Sequence, residues 1–414
     1  MKKQALITVI LFLSCLVQAQ VQVQGCTDPF SKNYNPLATV NDGSCEYRQA
    51  SITPVKSVHL PDEVVETSGL IKYDNALYTL NDDADINLYA LDSVSGAVLK
   101  TFPLTDTVNN DWEELAQDDT HFYVGDFGNN VRGNRKKLSI LKVEKSSLAS
   151  GNPVIETIHF GYSGQFDFSS LNNNVTNFDC EAMVVSNDSI YLFTKQWSAK
   201  KTSVYALPKT AGTYTAKFKV NYDVGGLITG ATYLEDKKLL VLCGYSSMVQ
   251  PFLYLLYDFK DNDFFSGNKR KVTLSGMSFH QTEGITTTNG INYFITNEKL
   301  VQQPFVNVSQ KLHYLDLSVF LGDYVENIPF REIQNDLKGR IHIYPNGVRD
   351  ILHIDSDRSM NGTRYFIVDN NANEVISGVL KNDMTTVNIH KLPPGIYTVK
   401  IDKFPRYCYK LVQK

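Results

Sequence analysis

Short hydrophobic segments separated by polar turns recur through most of the chain, in a pattern typical of β-strands. Between residues 52 and about 327, each repeat has a short box, a polar turn, a hydrophobic or aromatic strand and a third strand. The boxes begin 45, 68, 49 and 53 residues apart, which indicates one structural unit used several times. The five boxes are Thr67-Ser68-Gly69-Leu70-Ile71, Trp112-Glu113-Glu114-Leu115-Ala116, Cys180-Glu181-Ala182-Met183-Val184, Thr229-Gly230-Ala231-Thr232-Tyr233 and Thr282-Glu283-Gly284-Ile285-Thr286.

This repeat predicts a β-propeller over residues 52–332. A fourth strand, such as Val98–Leu104, leads from one unit into the next box, and four strands per unit are typical of a propeller blade. We expect five blades, with Pro54–Leu60 closing the ring as the fourth strand of the last blade. A sixth blade is left open because the second unit contains the unassigned stretch Gln165–Asn177.

The carboxy-terminal part changes character after a polar linker around Ile333–Lys338. Short strands with alternating residues follow, among them Ile341–Tyr344, Arg364–Asp369 and Leu392–Ile401, with turn residues between them. This pattern predicts a small β-sandwich over residues 333–414. The predicted fold class is therefore all-β, a propeller followed by a sandwich.

Residues 1–19 have the pattern of a secretory signal peptide. Lys2 and Lys3 precede an apolar run from Ala5 to Val17, and Ala19 ends a small-residue cleavage site. Crossing a bilayer takes about 20 apolar residues, so we expect no membrane span in the mature chain. A lipoprotein signal that uses Cys15 is the less favoured alternative. The mature protein is expected to be soluble and exported.

Residues 20–51 form a polar, turn-rich stub bracketed by Cys26 and Cys45. Export permits disulfides, and a Cys26–Cys45 bridge would restrict a loop that is too small to bury a core. The stub also carries oxygen-bearing side chains that suit either a Ca²⁺ site or turn-closing hydrogen bonds. These side chains are Asp28, Asn33, Asn35, Asn41 and Asp42.

Composition and charge narrow the range of partners. Aromatic residues make up 11% of the chain, which favours β structure, and the net charge is −4. We therefore expect no binding to nucleic acid. Cys180, Cys243 and Cys408 are expected to be buried thiols, with a Cys180–Cys243 bridge as an alternative.

Several polar side chains are predicted to meet at one mouth of the central channel. In a propeller, the first strand of each blade lines the channel, and the loop after the second strand lies where the first strand begins. The alternative is that these groups satisfy backbone groups in the channel and bind only water. The predicted ligand-binding residues are Glu113, Glu114, Asp126, Glu181, Lys195, Trp197, Glu283 and Glu298.

Glu113, Glu181 and Glu283 also form a candidate metal site, because clustered carboxylates suit Ca²⁺ or act as an acid and a base. Two familiar catalytic or metal motifs are excluded. The segment from Asp83 lacks the glycine and glutamate of an EF-hand loop, and Gly244–Met248 lacks the last glycine of a serine-hydrolase elbow. Whether the protein is an enzyme is left open by the residues.

The boxes around Trp112-Glu113-Glu114 and the segment Gly125-Asp126-Phe127-Gly128-Asn129-Asn130 resemble a family of secreted bacterial propellers related to phytase-like and lactonase-like propellers. Where such relatives are enzymes, the resemblance implies acidic residues and calcium at the channel mouth. It implies a calcium-dependent hydrolase, although no complete catalytic set of that family can be placed on this chain.

Both ends of the mature chain resemble modules of exported Bacteroidetes proteins. The segment from Gly25 to Tyr47 resembles a short cysteine-bracketed module found on such proteins. The box at Tyr344-Pro345-Asn346, the turn Leu392–Tyr397 and the basic end Tyr409–Lys414 resemble the type A sorting domain of the type IX secretion system. Gly347 departs from that pattern, since the family usually has a second proline there. The resemblance implies the type IX secretion machinery as a partner.

The sequence thus predicts a secreted or cell-surface protein. Its propeller is expected to bind an unknown extracellular ligand at the channel mouth: a small molecule, a glycan or a protein. The alternative is a calcium-dependent hydrolase of the phytase, lactonase or esterase type.

Overall fold

The structure, a computed structural model, describes residues 22–83, 85–327, 341–344, 350–356, 360–369, 373–381, 383–402 and 404–413. The predicted signal peptide with Cys15, the linker around Ile333–Lys338 and the residues Pro345–Gly347 lie outside these ranges, as does the side chain of Cys408. Within the described ranges the regular structure is almost entirely β-strand.

The strands are numbered in chain order. The strands before the first box are β1 (Gln24–Gly25), β2 (Val40–Asn41), β3 (Ala50–Ile52) and β4 (Lys56–His59). The strands of the repeats are β5 (Thr67–Tyr73), β6 (Ala76–Asn81), β7 (Asn87–Leu91), β8 (Val98–Pro103), β9 (Trp112–Gln117), β10 (His121–Asp126), β11 (Leu138–Glu144), β12 (Ile155–Tyr162), β13 (Asp179–Val185), β14 (Ser189–Lys195), β15 (Thr202–Pro208), β16 (Gly212–Tyr222), β17 (Leu227–Leu234), β18 (Leu239–Tyr245), β19 (Pro251–Tyr257), β20 (Asn268–Leu274), β21 (Thr282–Thr287), β22 (Asn292–Asn297), β23 (Leu300–Gln302), β24 (Val306–Val308) and β25 (Lys311–Asp316). The carboxy-terminal strands are β26 (Ile341–Tyr344), β27 (Ile351–Ser356), β28 (Arg364–Val368), β29 (Glu374–Val379), β30 (Asp383–Asn388), β31 (Gly395–Ile401) and β32 (Phe404–Gln413). The α-helices are α1 (Lys145–Leu148) and α2 (Ser318–Asn327), and two 3₁₀ turns span Asp62–Val64 and Glu235–Lys237.

The repeats form five antiparallel blades around one axis. Strands β5–β8, β9–β12, β13–β16 and β17–β20 make the first four blades, and β21, β22, β25 and β4 make the fifth. The first strands contact one another in a closed circle, β5 with β9, β9 with β13, β13 with β17, β17 with β21 and β21 with β5. This ring confirms the predicted five-bladed propeller. The stretch Gln165–Asn177 contains no strand, so the sixth blade left open by the sequence is not formed.

The amino-terminal strand β4 closes the ring. It pairs antiparallel with β25, with Lys311 opposite His59 and Tyr314 opposite Lys56, and so supplies the outermost strand of the last blade, as predicted. Without β4, strand β25 would present unpaired backbone groups to solvent. Closure therefore joins the two ends of the propeller chain in one sheet.

One hydrophobic cluster fills the space between each pair of neighbouring blades. Between blades 3 and 4, for example, Phe193 and Ala182 pack against Leu242 and Phe252, all of them buried. Such packing needs apolar residues on alternate positions of each strand, which is the pattern that the sequence repeats. Burying each cluster stabilises the ring as a whole, because every blade shares its two faces with its neighbours.

Every first strand bulges against its second strand near the start of the box. In blades 2, 3 and 5 the bulged residue left without a partner is Glu113, Glu181 or Glu283, and in blade 4 it is Thr229. A bulge redirects one side chain and increases the local twist. Blade 1 instead uses Gly69, whose φ of 60° suits glycine and where a Cβ would lie 2.3 Å from the backbone nitrogen of Leu115.

The stub packs against the end of blade 4 opposite the channel mouth. Its disulfide joins Cys26 and Cys45 with an S–S distance of 2.01 Å, which confirms the predicted bridge. The Tyr257 hydroxyl donates to Asp28 Oδ2 at 2.6 Å, and Asn41 Nδ2 donates to Asp258 Oδ2 at 3.0 Å. Strand β3 then extends blade 4 by pairing parallel with β20.

The oxygen donors of the stub close turns. Asp28 Oδ1 accepts the backbone N–H of Phe30, Asn35 Oδ1 accepts that of Leu37, and Asp42 Oδ1 accepts that of Ser44. Asn33 and Asn41 likewise accept backbone N–H groups through their side-chain oxygens. Of the two alternatives for these side chains, the structure matches the turn-closing hydrogen bonds.

The carboxy-terminal residues form two packed sheets, as predicted for a β-sandwich. One sheet has the order β26-β27-β30 and the other β29-β28-β31-β32. Leu352 and Ile354 from the first sheet and Ile367 and Val399 from the second are fully buried in one cluster. These alternating apolar positions give the domain its own core.

Two features differ from the sequence-based picture. Helix α2 was not predicted, yet Leu321 and Tyr324 follow Leu317 at helical spacing and pack against the cluster between blades 4 and 5. Cys180 and Cys243 are separate buried thiols, so the alternative of a bridge between them is wrong. Among the described helices, none is long and apolar enough to cross a membrane.

Candidate binding site at the channel mouth

In blades 2, 3 and 5, two positions of the first strand point toward the channel at its mouth. Successive side chains of a strand face opposite sides, so the residue before the box and the bulged residue lie on the same face. In blades 2 and 3 these pairs are Asp111 with Glu113 and Asp179 with Glu181. The ends of the second strands meet them there, since Trp112 lies opposite Asp126 and Asp179 opposite Lys195.

The inner layer of the mouth is a buried cluster of carboxyl groups around one lysine. Glu113, Glu181 and Glu283 are each no more than 6% exposed, and Lys195 is 3% exposed. Lys195 Nζ forms an ion pair with Glu181. The same ammonium lies 4.6 Å from the ring centre of Trp197 and 5.2 Å from that of Tyr245, so two aromatic faces support its charge.

Asp179 joins this inner layer. One of its oxygens accepts the Trp197 indole N–H at 2.7 Å, and the other accepts the backbone N–H of Asn129 at 2.6 Å. Oxygen atoms of Glu113, Asp179 and Glu181 all lie within 4.8 Å of one another. Two of the three predicted metal ligands therefore converge with Asp179, which was not predicted, and Glu283 lies beside Glu181 outside this set.

Glu114 and Asp126 are held by neighbouring groups instead of facing a ligand. The Glu114 carboxyl accepts the backbone N–H of Leu115 and that of Ala231 in blade 4, both at 2.9 Å, and it is fully buried. It therefore ties blades 2 and 4 together across the channel. Asp126 accepts hydrogen bonds from Arg135 at 2.8 Å and Asn110 at 2.6 Å. For these two residues the geometry matches the alternative, in which the polar side chains hydrogen-bond to other groups of the protein.

An outer acidic group lies at the surface of the mouth. Carboxylate oxygens of Glu66, Asp82 and Glu298 lie within 4.8 Å of one another, and all three residues are partly exposed. Within the described residues none of the three forms an ion pair. Oδ1 of Asp82 is buried and has no hydrogen-bond partner there, and neither has Oε2 of the adjacent Glu283.

The crowding of carboxyl groups shifts their protonation. Burial, followed by the charge of Glu66, raises the pKa of Asp82 to about 8. Burial raises the pKa of Glu283 to about 7, although the positive charge of Lys195 opposes the shift. Burial acts to lower the pKa of Lys195, but Glu181 and its neighbours outweigh it and hold that pKa well above its usual value. Near neutral pH the Lys195 ammonium is therefore charged. The Asp82 carboxyl is mostly protonated at this pH, and the Glu283 carboxyl is partly protonated.

The two acidic groups differ in how well they fit the calcium ion that the resemblance implies. In the inner group, Glu181 is already paired with Lys195, and Asp179 already accepts two hydrogen bonds. In the outer group, an oxygen of Asp82 lacks any partner within the described residues. Hard oxygen donors without a competing cation suit a divalent ion, so Glu66, Asp82 and Glu298 fit it better than the predicted set.

The predicted ligand-binding set contains the inner glutamates and Lys195 but, of the three outer residues, only Glu298. Glu66, Asp111 and Asp179 each stand one residue before a box, so an acidic residue recurs there in three blades. This acidic position recurs with the same spacing as the boxes, and the recurrence could have identified Glu66, Asp111 and Asp179. Asp82 had a weaker sequence signal. It directly follows the second strand of blade 1, and the residues at the same position in the other blades are of other types.

Comparison with known proteins bears on the carboxy-terminal domain. Residues 342–412 match the family model described as a secretion system C-terminal sorting domain. The chain carries a type IX sorting domain. With this sorting domain, the protein is exported to the cell surface or the extracellular space, and it interacts with the type IX secretion machinery. Among curated proteins, none matches the chain in sequence.

Solved structures resemble the propeller in fold. A glutaminyl cyclase from Myxococcus xanthus has 11% identity and a TM-score of 0.37, with 64% of this chain and 97% of that chain covered. A gluconolactonase from Xanthomonas campestris has 12% identity and a TM-score of 0.35, covering 62% and 88%. PorZ, a surface component of the type IX secretion system of Porphyromonas gingivalis, has 12% identity and a TM-score of 0.29, covering 83% and 44%. At these TM-scores the similarities carry no argument about function.

Proposed function

We propose that this exported propeller is a binding module that takes a positively charged group of an extracellular ligand at the mouth of its channel. The ligand belongs to one of the classes expected from the sequence: a small molecule, a glycan or a protein. The outer group of Glu66, Asp82 and Glu298 supports this proposal most directly. Its carboxylates converge at a partly exposed place and have no cationic partner within the described residues.

The buried layer beneath explains why the ligand would stop at the mouth. Lys195, Trp197 and the inner carboxyl groups lie below the outer group, where Glu181 pairs with Lys195 and Asp179 accepts the indole N–H of Trp197. The outer carboxylates are partly exposed and so remain accessible to a ligand. A cation that pairs with them gains from low solvent exposure and from relief of repulsion among the acids.

Calorimetric titration of the mature protein with tetralysine and with CaCl₂ tests the proposal. At least one of these cations should bind, and the double substitution Glu66→Gln with Asp82→Asn should weaken binding at least tenfold. The matched control is Glu63→Gln with Asp83→Asn, which removes two neighbouring exposed carboxylates and should change the affinity no more than about threefold. Absence of binding by both cations would refute the proposal.

A calcium-dependent hydrolase is the second candidate. Glu66, Asp82 and Glu298 would hold the ion, which would polarise a bound carbonyl or phosphoryl oxygen. The observation in its favour is the Glu283 pKa of about 7, because a carboxyl group that is partly protonated at neutral pH can act as a general acid. Hydrolysis of phytate, lactones or aryl esters that needs Ca²⁺ and is lost in Glu283→Gln would establish it.

A further inference from the structure

Large apolar side chains surround the acidic mouth. The loops between second and third strands, and those that lead from one blade into the next, all lie at this end of the antiparallel blades. Phe166 and Phe305, on two of these loops, are 88% and 91% exposed. Isolated exposed apolar residues are ordinary, but a concentration of them around one site marks an interaction surface. The exposed apolar residues of these loops are Val108, Val131, Phe166, Leu171, Val175, Met248, Phe279, Val301 and Phe305.

Backbone hydrogen bonds hold the rim loops in place. The N–H of Leu171 donates to the carbonyl of Arg132 at 2.9 Å, which joins the loop after β12 to the loop after β10. Where blade 4 leads into blade 5, the N–H of Phe279 donates to the carbonyl of Val249 at 2.8 Å. The rim therefore presents one apolar patch on the loops of blades 2 and 3 and another on the loops that connect blades 4 and 5.

The second patch is strained. Phe279 has a φ of 64° and Val249 a φ of 52°, values that bulky and β-branched side chains rarely adopt. Strain of this kind persists only where the surroundings enforce it, and it collects at functional sites. Here it keeps Phe279 and the adjacent Met248 exposed at the rim, 46% and 80% respectively.

We infer that the ligand of the mouth is a polypeptide that presents a lysine or arginine between large apolar side chains. This inference rests on the proposed function and names the class of partner. The basic group pairs with Glu66, Asp82 and Glu298, and the flanking side chains pack on exposed side chains of the rim loops, such as Phe166 and Phe305. A buried anchor surrounded by apolar contacts is the usual arrangement of a protein-binding hot spot.

The chemistry of the rim favours a polypeptide over a glycan. Its most exposed members are phenylalanine, methionine and aliphatic residues, which have no polar tip to hydrogen-bond sugar hydroxyls. Such side chains instead match leucine, isoleucine or aromatic residues of a peptide. The central carboxylates supply the charge complementarity that fixes the position of the basic residue.

A random library of 12-residue displayed peptides, selected on the full mature chain, tests this inference. Enriched peptides should contain lysine or arginine within three residues of a large apolar side chain. After resynthesis, their affinity measured by fluorescence polarisation should fall at least tenfold for Glu66→Gln with Asp82→Asn and at least tenfold for Phe166→Ser with Phe305→Ser. The control Phe30→Ser removes a phenylalanine that is 54% exposed on the stub, at the other end of blade 4, and should change affinity less than twofold.

The possible failures are distinguishable. No enrichment, enriched peptides without a basic residue, or binding unchanged by the two rim substitutions would overturn the inference. If tetralysine still binds in those cases, and the substitutions of Glu66 and Asp82 weaken it, the mouth remains a cation site and only the polypeptide partner is wrong. Since every rim residue to be changed is highly exposed, thermal unfolding of each variant should match that of the wild type.

Discussion

Three glutamates occupy the same place in their blades, and that place is a β-bulge. Glu113, Glu181 and Glu283 are each the residue left without a partner on the second strand, so the bulge turns their carboxyl groups toward the channel. The sequence showed that a glutamate recurs in the boxes. Recurrence of a residue type does not show that the residue lies in a β-bulge. Blade 4 has Thr229 at this position, and its hydroxyl donates to the carbonyl of Thr282.

Glu114 should act in folding and not in binding. In Glu114→Gln, the amide nitrogen must face the backbone N–H of Leu115 or Ala231, so a buried donor loses its acceptor. We expect a loss of about 1–3 kcal/mol in the free energy of unfolding, measured by urea denaturation. Glu156→Gln, an exposed partner of Lys142, is the control and should cost less than about 1 kcal/mol. Equal losses in the two variants would contradict this role.

The raised pKa of Asp82 predicts a pH dependence of stability. Between pH 4 and pH 8 the unfolded state has an ionised Asp82, while the folded state keeps it protonated up to its pKa of about 8. The folded state then binds more protons, so this group lowers the free energy of unfolding as pH rises across that range. Asp82→Asn removes the effect, because asparagine stays neutral.

Chemical denaturation at pH 5 and pH 9 measures this prediction. Relative to the wild type, Asp82→Asn should be more stable at pH 9 than at pH 5, whereas Asp83→Asn, an exposed neighbour whose charge only contributes to the Asp82 pKa, should show a smaller difference. Cation affinity of the wild type should rise over the same interval, as deprotonation makes the Asp82 carboxylate available. An identical pH profile for both variants would argue against a raised pKa at Asp82.

At the scale of elements, ring closure depends on a strand that lies far away in the sequence. Strand β4 pairs with β25 across more than 250 residues of chain, and Leu60, 5% exposed, fills the space between blades 1 and 5. The absence of a fourth strand in the last repeat allowed this pairing to be predicted. Two other pairings had no comparable signal in the sequence: that of β3 with β20 of blade 4, and the parallel pairing of β12 with β16. They depend on which edge strands lie next to each other in the folded protein.

Removing β4 should open the propeller. A chain that begins at residue 61 lacks β4 and exposes the edge of β25, so we expect oligomers or aggregates in size-exclusion chromatography with light scattering. A chain that begins at residue 49 loses most of the stub but keeps β3 and β4, and we expect it to be monomeric. If both chains were monomers with the same melting temperature, β4 would not be needed for closure.

At the scale of the whole molecule, the export signal and the proposed binding site belong to different parts of the chain. The sorting domain at residues 342–412 has its own two-sheet core, and the propeller has its own five inter-blade clusters. Each part therefore has the apolar burial that an independent domain needs. The boundary predicted between them, at residues 332 and 333, remains a prediction.

Moving the sorting domain to another protein tests this division of roles. A fluorescent protein carried between residues 1–19 and residues 333–414 should reach the cell surface or the medium in a bacterium with a type IX system. The same fusion without residues 342–412 should remain inside the outer membrane. Export of both fusions would show that the domain is dispensable for sorting.

Local patterns in the sequence determined the all-β class, the five repeats, the Cys26–Cys45 bridge and the export signals, because strand periodicity, cysteine spacing and sorting motifs act over a few residues. Only the tertiary structure decided which carboxylates share a site. Asp82 and Glu298 are more than 200 residues apart in the chain, and bulges of the first strands decide which glutamates point inward. Such distances and directions arise from how the blades pack around a common axis, which no single repeat contains.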